Sequence, residues 1–288
     1  VRAEVVRMLC CPHCGGDLTQ TPAPGTALRC PNRHVFDVAR QGYVSLLPGN
    51  AHTGTGDTAA MVAARTAFLG AGHYDPIAEC LAAESARALA APAVDAAAAA
   101  GGVVDVGAGT GHYLARVLDR LPDRVGLALD VSKYALRRAA RAHPRAGAAV
   151  CDTWRSLPVR TGAAALALNV FAPRNGAEIH RVLRPGGVLL VVAPNPNHLT
   201  ELVSTLGLLS VAENKRDRLD ATLLPHFTPL DRRTVEFTMS LARHDVEALA
   251  GMGPSARHTS AEELRERVAG LAERTAVTAS VSVAAYRA

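Results

Sequence analysis

Five short apolar runs punctuate the middle of the chain: VVDVG at 103–107, VGLALD at 125–130, AAVCD at 148–152, LALNVF at 166–171 and VLLVVA at 188–193. Segments of helical periodicity lie between and around them, at 111–121, 133–141 and 177–183. Strands apolar along their whole length and alternating with helices predict an α/β fold. They form a doubly wound parallel sheet whose ligand crevice opens at the carboxyl ends of the strands. Two later segments, TVEFTMSL at 234–241 and VTASVSVAAY at 277–286, alternate with period two and predict a closing antiparallel pair. Upstream, 51–102 is helix-prone and rich in alanine, with helical patterning in AAMVAARTAFLGAG and a low-complexity VDAAAAAGG at 94–102.

The first forty residues do not share this rhythm. Four of the six cysteines fall there, and Cys11-x2-Cys14 followed by Cys30-x3-His34 forms two short ligand pairs. Zinc takes four sulfur or nitrogen ligands in a tetrahedron, and two such pairs supply two ligands from each of two turns. Pro12 and Pro31 stiffen each pair, while Gly15 and Gly16 suit a tight turn after the first. Cys10 and His13 are rival ligands, but the tighter spacing favours Cys11 and Cys14. The plainer readings, inert buried thiols or a redox Cys-x-x-Cys, leave the second pair without a purpose. So short a region buries too little surface to fold alone, so a structural metal would be its main staple, with no open position for metal catalysis.

VVDVGAGTGHYLARVL locates a second site. A strand ends at Val106; Gly107, Gly109 and Gly111 let backbone pass close to a ligand, and the following helix offers free amides at its start. A dinucleotide fingerprint wants glycine where His112 stands. The D-x-G-x-G-x-G pattern instead resembles the first motif of class I methyltransferases that use S-adenosylmethionine. Asp130 ends the second strand, where a carboxylate accepts from both ribose hydroxyls, and Asp152 ends the third, where it can meet the adenine amino group. Asn169 ends the fourth strand, either facing the transferred methyl group or merely satisfying the strand terminus. LRPGGVLLVV at 183–192 resembles the turn into the fifth strand of that fold.

Composition changes this picture little. At 288 residues the chain accommodates a core domain with an appendage, read here as 1–48, zinc-binding and RNA-recognising, and 49–288, methyltransferase. No run is apolar over the roughly eighteen residues a membrane helix needs, and VRAEVVRML is too short and charged for a signal peptide, so a cytoplasmic protein without membrane partners is expected. The formal charge of +5 permits an anionic partner without demanding one. Lys133 and Lys215 are the only lysines, a bias that high genomic GC content explains as well as phosphate binding does. Arg2, Arg7, Arg29, Arg33 and Arg40 make the zinc region basic and suit it to phosphates. The run RRAARAHPR at 137–145 reads most simply as a solvated helix face.

The whole order of motifs resembles the RlmA family of large-subunit ribosomal RNA guanine-N1 methyltransferases. After the zinc pattern come HVFDVARQGYVSLLP, MVAARTAFLGAGHY, the glycine loop, LDVSK, NVFAPRN and PNPNHL. The nearest likeness is to the branch found in macrolide-producing actinomycetes. The resemblance implies a class I fold using S-adenosylmethionine and one structural zinc, with methylation of N1 of G748 in a domain II hairpin of 23S rRNA. It also implies resistance to tylosin- or mycinamicin-type antibiotics. It carries zinc ligation to Cys11, Cys14, Cys30 and His34, and cofactor contacts to Tyr74, Gly109, Thr110 and His198, alongside Asp105, Gly107, Gly111, Asp130, Asp152 and Asn169. A homodimer whose cleft takes the hairpin is implied as well. Trp154 and Phe171 can stack on a splayed base, although packing explains either one singly. No group stands out as acceptor for the N1 proton. The chain lacks a D/N-P-P-Y motif for adenine amino methylation, and Cys80 and Cys151 lack the setting of a C5-pyrimidine nucleophile. A small-molecule methyltransferase of antibiotic biosynthesis, or a non-catalytic zinc RNA-binding protein, are the rival readings.

Overall fold

The computed structural model describes residues 1–21, 27–48, 56–90, 101–207, 212, 215–257 and 259–288. The predicted strands appear in one eight-stranded sheet built from β4 (Tyr43–Ser45), β5 (Gly102–Val106), β6 (Gly126–Asp130), β7 (Ala146–Val150), β8 (Ala164–Val170), β9 (Leu183–Pro194), β10 (Thr228–Ala242) and β11 (Arg274–Arg287). Its order is β10-β11-β9-β8-β5-β6-β7-β4. The strands from β9 across to β4 pair in parallel, and β11 runs antiparallel to both β9 and β10. The chain winds outward from β5 through β6 to β7, then returns to the other side of β5 with β8. The switch point where ligands bind therefore lies beside the end of β5.

Alternate residues of each strand feed two cores. Val103, Ala128, Leu166, Leu168 and Leu190 pack with α2 (Ala59–Gly70), α3 (Asp75–Ala90), α4 (His112–Arg120) and α9 (Arg243–Met252). Val104, Leu127, Leu129, Ala167 and Leu189 face the opposite way. There they meet α6 (Gly176–Val182), α8 (Lys215–Leu223) and the amino-terminal residues. Helix starts are capped as sequence rules require: the Thr58 hydroxyl accepts from the Met61 amide at 3.2 Å and Ser132 Oγ from Ala135 at 3.3 Å. Among the described residues the remaining α-helices are α1 (Ala3–Val6), α5 (Lys133–Ala139), α7 (Thr200–Leu206) and α10 (Ala261–Ala269). Most of the low-complexity run, 94–100, lies outside the described residues. Among the described residues no helix is long and apolar enough to cross a membrane.

The amino-terminal part is a small antiparallel sheet, β1 (Thr19–Gln20), β2 (Ala27–Arg29) and β3 (Val35–Asp37), tied into the larger one. Strand β4 pairs in parallel with β7, Val44 opposite Ala149, and forms the edge of the main sheet. Val5, Val6, Met8 and Leu9 are buried in the core that holds Val104 and Leu127. The approach is close enough that a Cβ on Gly147 would stand 2.6 Å from Val5 Cγ1, which explains a glycine inside that strand.

A test follows from this shared core. Leu9 is fully buried, so Leu9→Ala should cost about 2–5 kcal/mol in denaturant unfolding of the whole chain. An unchanged midpoint for the sheet would show the amino-terminal part to be merely tethered.

Candidate active site and metal cluster

Two tight turns build the cluster. The Gly15 amide donates to Cys11 O at 2.8 Å, with Gly15 at φ 70°, and the Arg33 amide donates to Cys30 O at 3.0 Å, with Arg33 at φ 66°. These turns aim Cys11, Cys14, Cys30 and His34 at one point, and their ligand atoms all lie within 4.8 Å of one another. A tetrahedron with metal–sulfur bonds of about 2.3 Å has sulfur edges of about 3.8 Å. Cys14 Sγ lies 3.7 Å from Cys30 Sγ, and His34 Nδ1 lies 3.4 Å from Cys11 Sγ and 3.3 Å from Cys30 Sγ. The donor set and its spacing fit zinc, and all four predicted ligands are brought together. His13 instead stacks at 5.8 Å on Phe36, and the Cys10 amide joins the backbone of Pro158.

The glycine loop sits at the switch point. Gly107, Gly109 and Gly111 all have positive φ, at 79°, 54° and 77°. A Cβ on Gly107 or Gly111 would strike Ala172 or Ala139, whereas one on Gly109 would meet only the Arg65 side chain, at 3.5 Å. Of the three, Gly109 is thus the one whose approach is limited only by a long, movable side chain and not by a tightly packed alanine. Asp130 pins this loop: its Oδ2 accepts from the Gly109 amide at 2.9 Å and its Oδ1 from the Ser132 amide at 2.8 Å. Burial raises the Asp130 pKa, and those two amides oppose the rise. Asp105 lies beneath with Oδ1 unpartnered, and burial, then the charge of Asp130, pushes its carboxyl up to about 8. Two desolvated acids that repel each other favour a cationic ligand, and a sulfonium donor carrying an ammonium group suits them. The orphaned Asp105 oxygen and the Gly109 backbone, screened only by the Arg65 side chain, therefore fit S-adenosylmethionine.

Two other predicted residues are engaged locally. Asp152 accepts from the Trp154 amide at 3.0 Å and faces Arg155 at 3.4 Å. Asn169 is fully buried, and its Nδ2 donates to Val106 O at 3.1 Å and Pro173 O at 2.8 Å. It locks the end of β5 to the turn after β8, while its Oδ1 has no partner.

Sequence reasoning missed Asp57 and Arg65. Arg65 Nη2 donates to Asp57 Oδ2 at 2.7 Å and to Met252 O at 2.8 Å, and its buried Nε has no partner. Ser132 Oγ donates to Asp57 O at 2.6 Å. Arg65, held by Asp57, covers the loop so closely that the space over Gly109 and Thr110 is about 40 Å³. For a nucleoside-sized ligand to lie there, Arg65 has to withdraw. Arg65 stands within the segment MVAARTAFLGAGHY, but nothing local marks it out.

A larger cavity of about 670 Å³ adjoins this space, with Trp154, Phe171, Arg174, His198 and Arg218 in its wall. Arg65, Tyr74, Phe171 and Met252 line both spaces. His198 Nδ1 accepts from the Ser280 amide at 3.1 Å, so the neutral ring carries its proton on Nε2 and donates to Tyr74 Oη at 3.2 Å. Burial raises the Tyr74 phenol, which keeps its own proton. Phe171 sits at φ 52°, a conformation costly for a side-chain-bearing residue, with its ring 6.0 Å from His198 and 6.1 Å from Tyr74. Trp154, 60% exposed, stands at the mouth. The arrangement can hold a flat polar ring against a donor resting on the loop.

The chain matches the family model described as RlmA, N-terminal, over residues 9–53, and one described as a methyltransferase domain over 103–187. It is 50% identical to the 23S rRNA (guanine(748)-N(1))-methyltransferase of Streptomyces fradiae, across 100% of this chain and 99% of that protein. It is 55% identical to a Micromonospora griseorubida protein whose name gives 23S rRNA (guanine-N(1)-)-methyltransferase as a provisional activity, across 99% and 98%. A Bacillus subtilis protein of the same provisional description is 31% identical across 68% and 67%.

Three outcomes are expected of this site. Purified protein should carry about one zinc per chain by elemental analysis, and Cys30→Ser should lose it together with the fold of the first forty residues. Gly109→Arg should abolish S-adenosylmethionine binding in calorimetry while keeping a cooperative melt, its midpoint lowered because position 109 sits at φ 54°. Asp105 has a folded-state pKa raised from 3.8 to about 8. Its contribution is therefore undiminished below the unfolded value and is lost as pH climbs through that window. Without ligand, Asp105→Asn should raise the melting temperature at pH 8, with the gain shrinking toward pH 4.

Proposed function

The chain belongs to the RlmA-type 23S rRNA (guanine-N1)-methyltransferases, and from that premise we propose that it methylates N1 of G748. S-adenosylmethionine supplies an electrophilic methyl group on a sulfonium, and the protein's residues hold and align the partners. Gly109 and Thr110 would carry the donor on the loop, with Asp105, Gly107 and Gly111 shaping it. Asp130 would hold the ribose, since each carboxylate oxygen engaged by an amide retains a second lone pair. Asp152 would take the adenine amino group. Asn169 acts one step back, by fixing the strand ends that these residues occupy.

The observation that carries the reading is the junction of the two spaces at Tyr74 and Phe171. A guanine lodged in the larger cavity would meet the donor along the wall that Tyr74 and Phe171 share with Arg65 and Met252. His198 fixes Tyr74 through the Nε2–H bond, and the buried rings of Tyr74 and His198 keep water from the junction. Methyl transfer needs little more from the protein than alignment and dryness, because displacement at a sulfonium is in line and driven by proximity. The target has to be turned out of its stack to enter the cavity, and exposed Trp154 offers a surface for that base or its neighbour.

Cys11, Cys14, Cys30 and His34 would hold zinc as a structural clamp on the small sheet. Arg29 in that sheet and Arg33 and Arg40 in the turns beside it suit the phosphates of the RNA. The finer reading follows the family resemblance: G748 stands in a domain II hairpin, the chain works as a homodimer in the cytoplasm, and the modification confers resistance to tylosin- and mycinamicin-type macrolides.

Primer extension tests this directly. An N1 methyl group blocks the Watson–Crick edge, so reverse transcriptase should halt beside G748 in 23S rRNA from cells that make the protein. It should read through in cells making Gly109→Arg. Trp154→Ala should weaken RNA binding by about 1–3 kcal/mol in filter binding, with calorimetric affinity for S-adenosylmethionine unchanged.

A further inference from the structure

We propose that Arg174 recognises the O6 and N7 edge of the target guanine and thereby eases loss of the N1 proton; this rests on the guanine-N1 reading above. Both neighbours of Arg174 are pinned. Pro173 O accepts from the buried Asn169, and Asn175 caps α6 by accepting from the Glu178 amide at 3.3 Å while donating to Trp154 O at 3.0 Å. The arginine is therefore mounted on fixed backbone at the wall of the 670 Å³ cavity. Its Nε is buried without a hydrogen-bond partner, and among the described residues no carboxylate is paired with it. Arg65, Arg181 and Arg232 each have such a carboxylate within 2.7 Å. A half-buried guanidinium without a counter-charge is costly, and an acceptor from outside relieves that cost.

The chemistry of the cavity selects the acceptor. Its walls include Trp154, Phe171 and Tyr74, so its occupant is flat. Guanine presents two acceptors, O6 and N7, on one edge, and they match the arginine fork. Adenine offers an amino donor in place of O6, and uracil lacks N7, so both leave the fork badly matched. The same contact aids the reaction. The N1 proton is lost to bulk solvent through the mouth of the larger cavity, and N1 then bonds to the methyl carbon as the carbon–sulfur bond breaks with its pair passing to sulfur. The negative charge that N1 sheds onto O6 as its proton departs meets the guanidinium, a stabilisation that matters more in a dry site. No separate strong base is then needed, in keeping with the absence of an evident one in the sequence.

Single-turnover methylation of a hairpin transcript carrying guanine or 7-deazaguanine at the target tests the proposal with the full-length, zinc-loaded protein. Arg174→Gln should slow the methyl-transfer step about ten- to a hundredfold on guanine. Its rate should go on rising with pH toward the free N1 pKa, where the unaltered protein has already levelled. Deaza substitution should slow the unaltered protein and leave Arg174→Gln no slower. Arg174→Lys, which restores a charge without the fork, should recover part of the rate and stay insensitive to the deaza change. The proposal falls if Arg174→Gln raises KM equally for both transcripts with an unchanged pH profile, the mark of a phosphate contact. It falls equally if both variants lose calorimetric binding of S-adenosylmethionine, the mark of a structural role. If the unaltered protein leaves N1 of the target unmodified, the guanine-N1 reading fails and takes this proposal with it.

Discussion

A carboxylate at the end of a buried parallel strand has to find donors, and Asp130 finds them in the amides of Gly109 and Ser132. The rest of the site hangs on this arrangement. It joins the loop after β5 to the start of α5, and Ser132 passes the connection on to Asp57, which holds Arg65, which holds Met252 at the end of α9. Asp105, next to Asp130, finds no donor for one oxygen and is left with a raised pKa. A buried acid kept uncomfortable in the free protein is a standing preference for a cation, and a sulfonium ligand carrying an ammonium group meets it. The strand ends, the loop and the covering helices thus answer to one electrostatic condition.

The metal cluster works on a different scale. Strands of two or three residues cannot hold a sheet, and β1, β2 and β3 are no longer than that. Four converging ligand atoms suit a metal that would fix their turns, but the region is not independent. Its buried Leu9, Leu28 and Cys30 belong to the same core as Val104 and Ile179, and β4 is an edge of the catalytic sheet. Metal and apolar packing would have separate roles: a tetrahedral ion would set the shape of the small sheet, and burial sets where it sits. A rigid placement is what a protein needs if one region grips phosphates while another, across the sheet, handles a single base.

Local features of the structure were legible in the sequence. Cysteine knuckles, apolar strands and glycine turns depend on neighbours a few residues away, so Cys11, Cys14, Cys30, His34 and the loop from Gly107 to Gly111 lie where the spacing placed them. Small offsets at strand ends have local causes too: 148–152 ends at Val150 because Cys151 turns to bond Asp130 O and Asp152 starts a turn. What escaped was assembled across the chain. Asp57 meets Ser132, Arg65 meets Met252, and Asn169 spans to Val106 and Pro173. No periodicity encodes such pairs. Asn169 shows the difficulty best: its position at a strand end was plain, while the choice between facing the ligand and bracing the scaffold depended on partners that only the fold brings near.

That bracing explains how a strained residue persists at the junction. Phe171, at φ 52°, costs of order 1–3 kcal/mol in backbone strain. The turn survives because Asn169 grips Pro173 O from within and Asn175 anchors its far side to α6 and Trp154. The strain points the Phe171 ring at Tyr74 and His198, between donor and acceptor spaces. A relaxed turn would swing the ring and the arginine that follows it together, so the aromatic wall and the basic edge of the cavity are set by one backbone conformation. On the proposed reading, recognition of the base and its alignment with the methyl group would both depend on one five-residue turn, from Asn169 to Pro173, and the residues it carries.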